Sequence, residues 1–170
     1  MGVTRRFLTC LVALSLSGCA GYRFGPSNGT AAGEKSIQIN PFPNQTLEPH
    51  LTDAVTAQLR QAIQRDGTYR LASNEDADIV VSGVITHFER FELSFVDNDT
   101  LTVQDFRLSL TATVTARERI SGKVIFDKPV TGNTLVRISN DMPNAERQAL
   151  PLLAGDLAKN VTALLVEGTW

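Results

Sequence analysis

Hydrophobic and polar positions change period along this chain, and each change marks an element. Between Asp105 and Arg119, Phe106, Leu108, Leu110, Ala112, Val114 and Ala116 alternate with Arg107, Ser109, Thr111, Thr113, Thr115 and Arg117. Strict alternation predicts a strand with one face in the core and one in water. Ala77 to Phe95 is rich in β-branched and aromatic residues and predicts a second long strand, with Gly83 marking a bulge or a close helix contact. Ser36 to Phe42 places Ile37 and Ile39 on one side before Pro41 and predicts a short first strand. Tyr69 to Leu71 is a short extended piece. After a turn at Ile120 to Lys123, Val124 to Ile138 predicts a last strand, interrupted near Pro129 or Gly132.

The period becomes helical in two places. Leu51, Val55, Leu59, Ala62 and Ile63 recur three and four apart, with Thr46 or Glu48 near the start and Asp66-Gly67 as the stop. Arg60, Gln61, Gln64 and Arg65 are left facing water. After Met142-Pro143-Asn144, Leu150, Leu153, Ala154, Leu157, Val161, Leu164 and Leu165 form a second stripe, in which Pro151 kinks the helix or marks its first turn. The order predicts an α+β fold with two helices packed on one face of a mostly antiparallel four-stranded sheet. The other face, long and threonine-rich, is left for a partner.

The amino terminus follows a different logic. Arg5 and Arg6 precede an apolar run from Phe7 to Leu16, too short for a bilayer span of about 20 residues. Leu16-Ser17-Gly18-Cys19 resembles a bacterial lipobox, which predicts a signal at 1–18 and lipidation of Cys19 with diacylglycerol and palmitate. Several acyl chains hold a protein firmly on a membrane, whereas one binds only marginally. Ala20 after the cysteine implies, by the sorting rules of such lipoproteins, the outer membrane. Residues 19–35 are rich in Gly, Ser, Asn and Ala and read as a lipidated terminus with a flexible tether, and 36–170 as one domain. The segment from Ala20 to Lys35 would average roughly 20–24 Å end to end, which keeps the domain near the membrane.

Composition narrows the chemistry. Cys10 leaves with the signal and Cys19 is consumed by lipid, so of the 2 cysteines none remains as nucleophile, metal ligand or disulfide partner. The net charge of −2 provides no basic field for nucleic acid. His50 and His87 lack a zinc-ligand spacing, no G-x-S-x-G elbow occurs, and Asp97-Asn98-Asp99 departs from a calcium loop and reads as a hairpin tip. Catalytic residues, metals and cofactors are therefore not expected. The N-x-T triplets at Asn28, Asn44, Asn98 and Asn160 read as chance matches in a bacterial lipoprotein. Arg107, Arg117, Arg119 and Lys123, with Lys128 and Arg137, fall on or beside the antiparallel strands and are candidate contacts for a partner or for anionic phosphates. A solvated sheet face gives the same pattern.

Cys19-Ala20-Gly21-Tyr22-Arg23-Phe24, then Ser36 to Phe42 followed by Asn44, Thr46, Glu48 and Pro49, then LRQAIQRDGTYRL from Leu59 to Leu71, then Ala77 to Ile85, together resemble the lipopolysaccharide-assembly lipoprotein family, LptE. The likeness runs over the mature chain, and related periplasmic lipoproteins share the PF-x-N-x-T strand, its helix and the AD-x-x-x-x-G strand. The resemblance implies a non-enzymatic protein, anchored in the outer membrane and facing the periplasm or the barrel lumen. Its partner would be the LptD β-barrel, which it plugs while assisting lipopolysaccharide transport. The acidic hairpin tip offers no cations to lipopolysaccharide, which leaves the strand arginines for such contact. One alternative is a lipoprotein of similar fold that activates a peptidoglycan synthase. Another is an envelope hydrolase, which would require convergent carboxylates from Glu75, Asp76, Asp78, Asp97 and Asp99.

Overall fold

The computed structural model describes residues 32–72, 76–96, 99–137 and 142–167. The expected signal at 1–18, Cys19, most of the tether, Glu75 and the Asp97-Asn98 tip lie outside them. In chain order the elements are β1 (Ser36–Ile39), α1 (Leu51–Asp66), β2 (Arg70–Leu71), β3 (Ile79–Val96), β4 (Asp99–Glu118), β5 (Val124–Arg137) and α2 (Met142–Glu167).

The strands form one sheet of 5 strands in the order β2-β1-β3-β4-β5. β3, β4 and β5 are antiparallel neighbours, but β1 is parallel to both β2 and β3. The sheet is thus mixed and has one strand more than the four expected. The α+β class and the one-sided helices stand. The parallel pairs follow from connectivity, because α1 is the crossover that returns the chain in the same direction. A two-residue strand such as β2 carries no period from which pairing could be read.

Both helices cover one face of the sheet. Leu51, Val55, Leu59 and Ile63 of α1 and Leu153, Leu157, Val161 and Leu165 of α2 are buried against Ile37, Ile39, Val81 and Ile85 and against the alternating set of β4. By length and composition α2 could cross a membrane, but half of that apolar stretch is buried inside the domain, as in a core helix. α1 ends where Gly67 takes φ 75 and its N–H donates to Ile63 O, a conformation that costs Gly no side-chain clash. At the other end, Ser36 N and Oγ donate to Asp78 Oδ2 at 2.8 and 2.6 Å, and Asp78 N donates back to Ser36 Oγ at 3.0 Å. This clasp joins the start of β1 to the start of β3.

Several local expectations change. Gly83 lies in regular pairing, and the irregularities of the β3–β4 ladder fall later, between Ile85 and His87 and again between Glu92 and Val96. Gly83 lies on the covered face, but its close contact is not a helix: a Cβ there would sit 2.5 Å from the ring of Phe42, which comes from the loop after β1, and 2.8 Å from Thr113 O. β5 is continuous through Pro129 and Gly132. Pro129 is tolerated because its missing N–H would point away from β4. Pro151 lies within α2 rather than in its first turn, since burial of Ala149 and Leu150 holds the preceding turns on the domain. α1 begins without a side-chain cap from Thr46 or Glu48, and His50 occupies the cap position with φ 65.

Candidate partner-facing surface

The uncovered sheet face is built by the residues that alternate away from the core. The register lines them up in cross-strand rows: Ser82, Thr115 and Asp127; Val84, Thr113 and Pro129; His87, Thr111 and Thr131; Glu89, Ser109 and Asn133; Phe91, Arg107 and Leu135. Hydroxyls tie the middle of this face together. Thr111 Oγ1 and Thr131 Oγ1 are 2.9 Å apart, and Thr115 Oγ1 donates to Asp127 Oδ1 at 3.2 Å. Cross-strand threonine pairs of this kind stabilise a wet face without burying anything.

The candidate cations do not converge. Arg107 and Arg117 occupy the same face of β4 ten residues apart, about 34 Å at the ordinary strand rise. Arg119 lies in the turn after β4, where its Nε donates to Ala77 O at 3.0 Å and its guanidinium reaches Asp76 at 4.0 Å, so it secures the start of β3. Lys123 is exposed in the same turn, and its carbonyl accepts from Glu118 N at 2.9 Å. Three of the four residues therefore sit at the turn end of the sheet and Arg107 stands alone toward the other. Lys128 faces the covered side, over the Phe126 ring at 6.0 Å. Arg137 is paired with Asp105 at 2.8 Å. Hydrogen bonds from Arg137 and then from Ser94 hold the Asp105 carboxyl below its ordinary range, against a smaller opposing effect of burial.

Arg107 has apolar company. Phe91 and Leu135, its neighbours on either side, are 46% and 69% exposed, so the row presents a cation between two large hydrophobic side chains. Alternation marks Arg107 as outward-facing, whereas Phe91 faces outward because the bulge between Ile85 and His87 shifts the period of β3. Only the register shows that they share a row.

A second cluster has no sequence motif at all. Arg90, on the covered side of β3, donates from Nε to Glu146 of α2 at 2.6 Å and from Nη2 to Glu48 of the β1–α1 loop at 3.1 Å, with its guanidinium 5.0 Å from the centre of the Phe88 ring. One side chain thus fastens three elements. The loop it holds is ordered from within: Asn44 Oδ1 accepts from Thr46 N and Oγ1 at 2.9 and 2.8 Å, and Asn44 Nδ2 donates to Glu48 O at 2.7 Å. Asn44 thus shapes a turn that displays Leu47 fully in solvent. Asn160 likewise has a role, donating to Thr131 O at 2.8 Å. The Asn28 and Asn98 triplets begin outside the described residues.

Among the described residues no group of three or more His, Cys, Asp or Glu could hold a metal ion. Asp78 is engaged in its clasp with Ser36 and Asp76 is an exposed partner of Arg119, so these two do not form a separated acid and base pair.

The chain matches the family model described as LptE, lipopolysaccharide-assembly, over residues 34–165. No curated protein matches it. Among solved structures, a Xanthomonas campestris protein superposes with a TM-score of 0.62 at 9% identity, covering 86% of this chain and 91% of that one. A minor lipoprotein from Acinetobacter baumannii gives 0.51 at 18% identity, covering 78% and 92%. The PelC dodecamer from Paraburkholderia phytofirmans gives 0.51 at 16% identity, covering 76% and 87%. At these identities the likeness is one of fold.

Proposed function

The chain belongs to the LptE lipopolysaccharide-assembly family, and from that premise we propose that it is an outer-membrane lipoprotein, anchored through Cys19, that seats in and plugs an LptD-type β-barrel during lipopolysaccharide transport. The observation that carries the reading is the match over nearly the whole described domain, joined to a long uncovered polar sheet face. Barrel lumens are polar, so a plug must show hydroxyls and paired charges where an ordinary core protein would show a partner helix. β3 and β4 run for 18 and 20 residues, longer than the roughly 9–11 that cross a bilayer in a barrel wall. A domain of that length can occupy the height of a lumen.

In this reading the protein performs no catalytic step and carries no cofactor. It supplies shape and surface. The row of Phe91, Arg107 and Leu135 is where an amphiphile bearing phosphate and acyl chains would find a cation flanked by apolar area. At the turn end Arg117 also lies between two apolar partners, Val80 and the 45% exposed Val124, and offers a second, smaller place of this kind; Arg119 and Lys123 are assigned to partner contact or solvation.

The experiment is affinity purification of the full-length lipidated protein from outer membranes in mild detergent, with mass spectrometry of what accompanies it. A large β-barrel recovered in stoichiometric amount is the expected result. Recovery of a peptidoglycan synthase with no barrel would overturn the proposal and favour an activator role.

A further inference from the structure

The two long edges of the sheet are finished differently. Along β5, α2 closes the edge: Asp156 Oδ2 accepts from Asn133 N at 2.8 Å, Asn160 Nδ2 donates to Thr131 O at 2.8 Å, and Gly132 between them lies against the Leu157 backbone. Pro129 removes a further donor. These are the devices by which sheet proteins keep another strand from adding.

Along β3 the neighbour runs out. Asn40 N donates to Val81 O, Ile85 N to Pro43 O and Gln45 N to Ile85 O, at 2.9 to 3.0 Å, so β1 and its following loop pair with β3 as far as Ile85. The Asn44 turn then carries the loop away. Beyond Ile85, among the described residues, no main chain pairs with this side of β3, while β4 continues to pair with the other side as far as Ser94 and further. The bulge between Ile85 and His87 moves the alternation by one, and the pairing is then regular until the next shift between Glu92 and Ser94. The main-chain N–H and C=O of Phe88, Arg90 and Glu92 therefore point to the unpaired side.

This edge lacks the guards of the other. No proline or lysine occurs from Thr86 to Val96, and the one arginine, Arg90, is taken up by Glu48 and Glu146. A notch of about 550 Å³ lies between the departing loop at Gln45 to Glu48 and the strand at Thr86 to Arg90. A chain entering it would continue the line that Pro43 to Gln45 begins. Glu89 and Glu92 are exposed and make no ion pair among the described residues, and Phe91 and Leu93 beside them are 46% and 45% exposed.

We infer that the β3 edge from His87 to Ser94 is a strand-addition site for an extended polypeptide segment of a partner protein, with basic residues facing Glu89 and Glu92 and apolar residues facing Phe91 and Leu93. Main-chain hydrogen bonds supply the affinity and the alternating side chains the selection. The inference rests on the plug reading only for the source of the segment, which is then a loop or terminal arm of the barrel.

The test places a photo-crosslinking amino acid in the full-length lipidated protein in cells, at Glu89 on the edge and separately at Thr113 in the middle of the sheet face. The Glu89 probe is expected to link to a basic, extended segment of the barrel. Glu92→Pro removes an outward N–H without touching the β4 ladder, and should lower that adduct by at least about tenfold while leaving the Thr113 adduct in place. An unchanged thermal melt of Glu92→Pro confirms that the domain is intact. Barrel adducts from Thr113 with none from Glu89, or a Glu89 adduct indifferent to the proline, would overturn the edge site and leave the plug standing. A Glu89 adduct to a second copy of this chain would also overturn it. Absence of barrel adducts from both positions would remove the plug and the edge site together.

Discussion

The β5 edge and the far β3 edge belong to the same sheet, yet α2 crosses one and nothing among the described residues crosses the other. At Gly132 the closure depends on the absence of a side chain. A Cβ there would lie 2.4 Å from Leu157 N, so only glycine lets the helix backbone come near enough for Asp156 and Asn160 to reach the strand. At Arg90 the β3 arm is held by the opposite means, a long side chain spanning from the strand to Glu48 and Glu146. Close backbone approach shuts an edge. A side-chain strut steadies a strand and leaves its main chain free.

The contrast can be broken most severely at Gly132. Gly132→Ala forces a methyl into helix backbone, which cannot step aside as a flexible side chain would. Overpacking of this kind costs about 1–3 kcal/mol or more, and the expected result is a clear loss in denaturant midpoint with faster hydrogen exchange at Thr131 to Asn133. A melt equal to wild type would show that α2 does not depend on this contact.

A smaller effect is expected at Arg90. Arg90→Ala leaves two largely shielded carboxylates without their cation, while the arginine itself is partly solvated, so the loss is placed at about 1–2 kcal/mol. Exchange should rise in the Asn44 to Glu48 loop and the first turns of α2 and stay unchanged at Gly132. Arg90→Lys should recover only part of the loss, because an ammonium cannot hold both carboxylates in the fork geometry. Uniform loosening of both edges would contradict the separation drawn between them.

The smallest effect belongs to the part of the β3 edge that is already paired. Asp78 accepts from Ser36 side chain and backbone, and these two bonds hold its carboxyl below the ordinary range, with burial opposing weakly and Arg70 and Lys35 adding a little. A depressed folded-state value means the clasp contributes fully above the ordinary carboxylate range and is lost as pH falls through the depressed value. Asp78→Asn should flatten that part of the acid limb in a pH series of thermal melts. Because the group is exposed, the difference should be modest and shrink with added salt.

Legibility from the sequence was uneven for physical reasons. The β4 alternation and the α1 and α2 stripes were readable because each buried residue must face one layer, and all six inward β4 residues from Phe106 to Ala116 are buried as the period requires. The Gly67 stop was readable because its backbone demands a glycine. β2 and the parallel direction of β1 were not readable, since two residues have no period and direction is decided by where the crossover helix delivers the chain. Pro129 misled for a related reason. Proline breaks a strand only where its missing N–H is needed, and that depends on which side of the strand meets its neighbour. The candidate cations were proposed as a group because they are near in sequence, and a strand places sequence neighbours far apart in a way that a compact loop does not.

By itself, then, the order of residues determined the class of fold, the layer each apolar residue enters, the helix stop at Gly67, and the resemblance that the family match over residues 34–165 establishes. Those are properties of local period and local backbone preference, and they do not depend on what lies across the sheet. The tertiary structure alone decided that Arg107 shares a row with Phe91 and Leu135, that Arg90 fastens three elements, and that one edge of the sheet is shut and the other open. Each of these depends on register and on which distant backbone arrives alongside, and neither quantity is encoded in the spacing of any single segment.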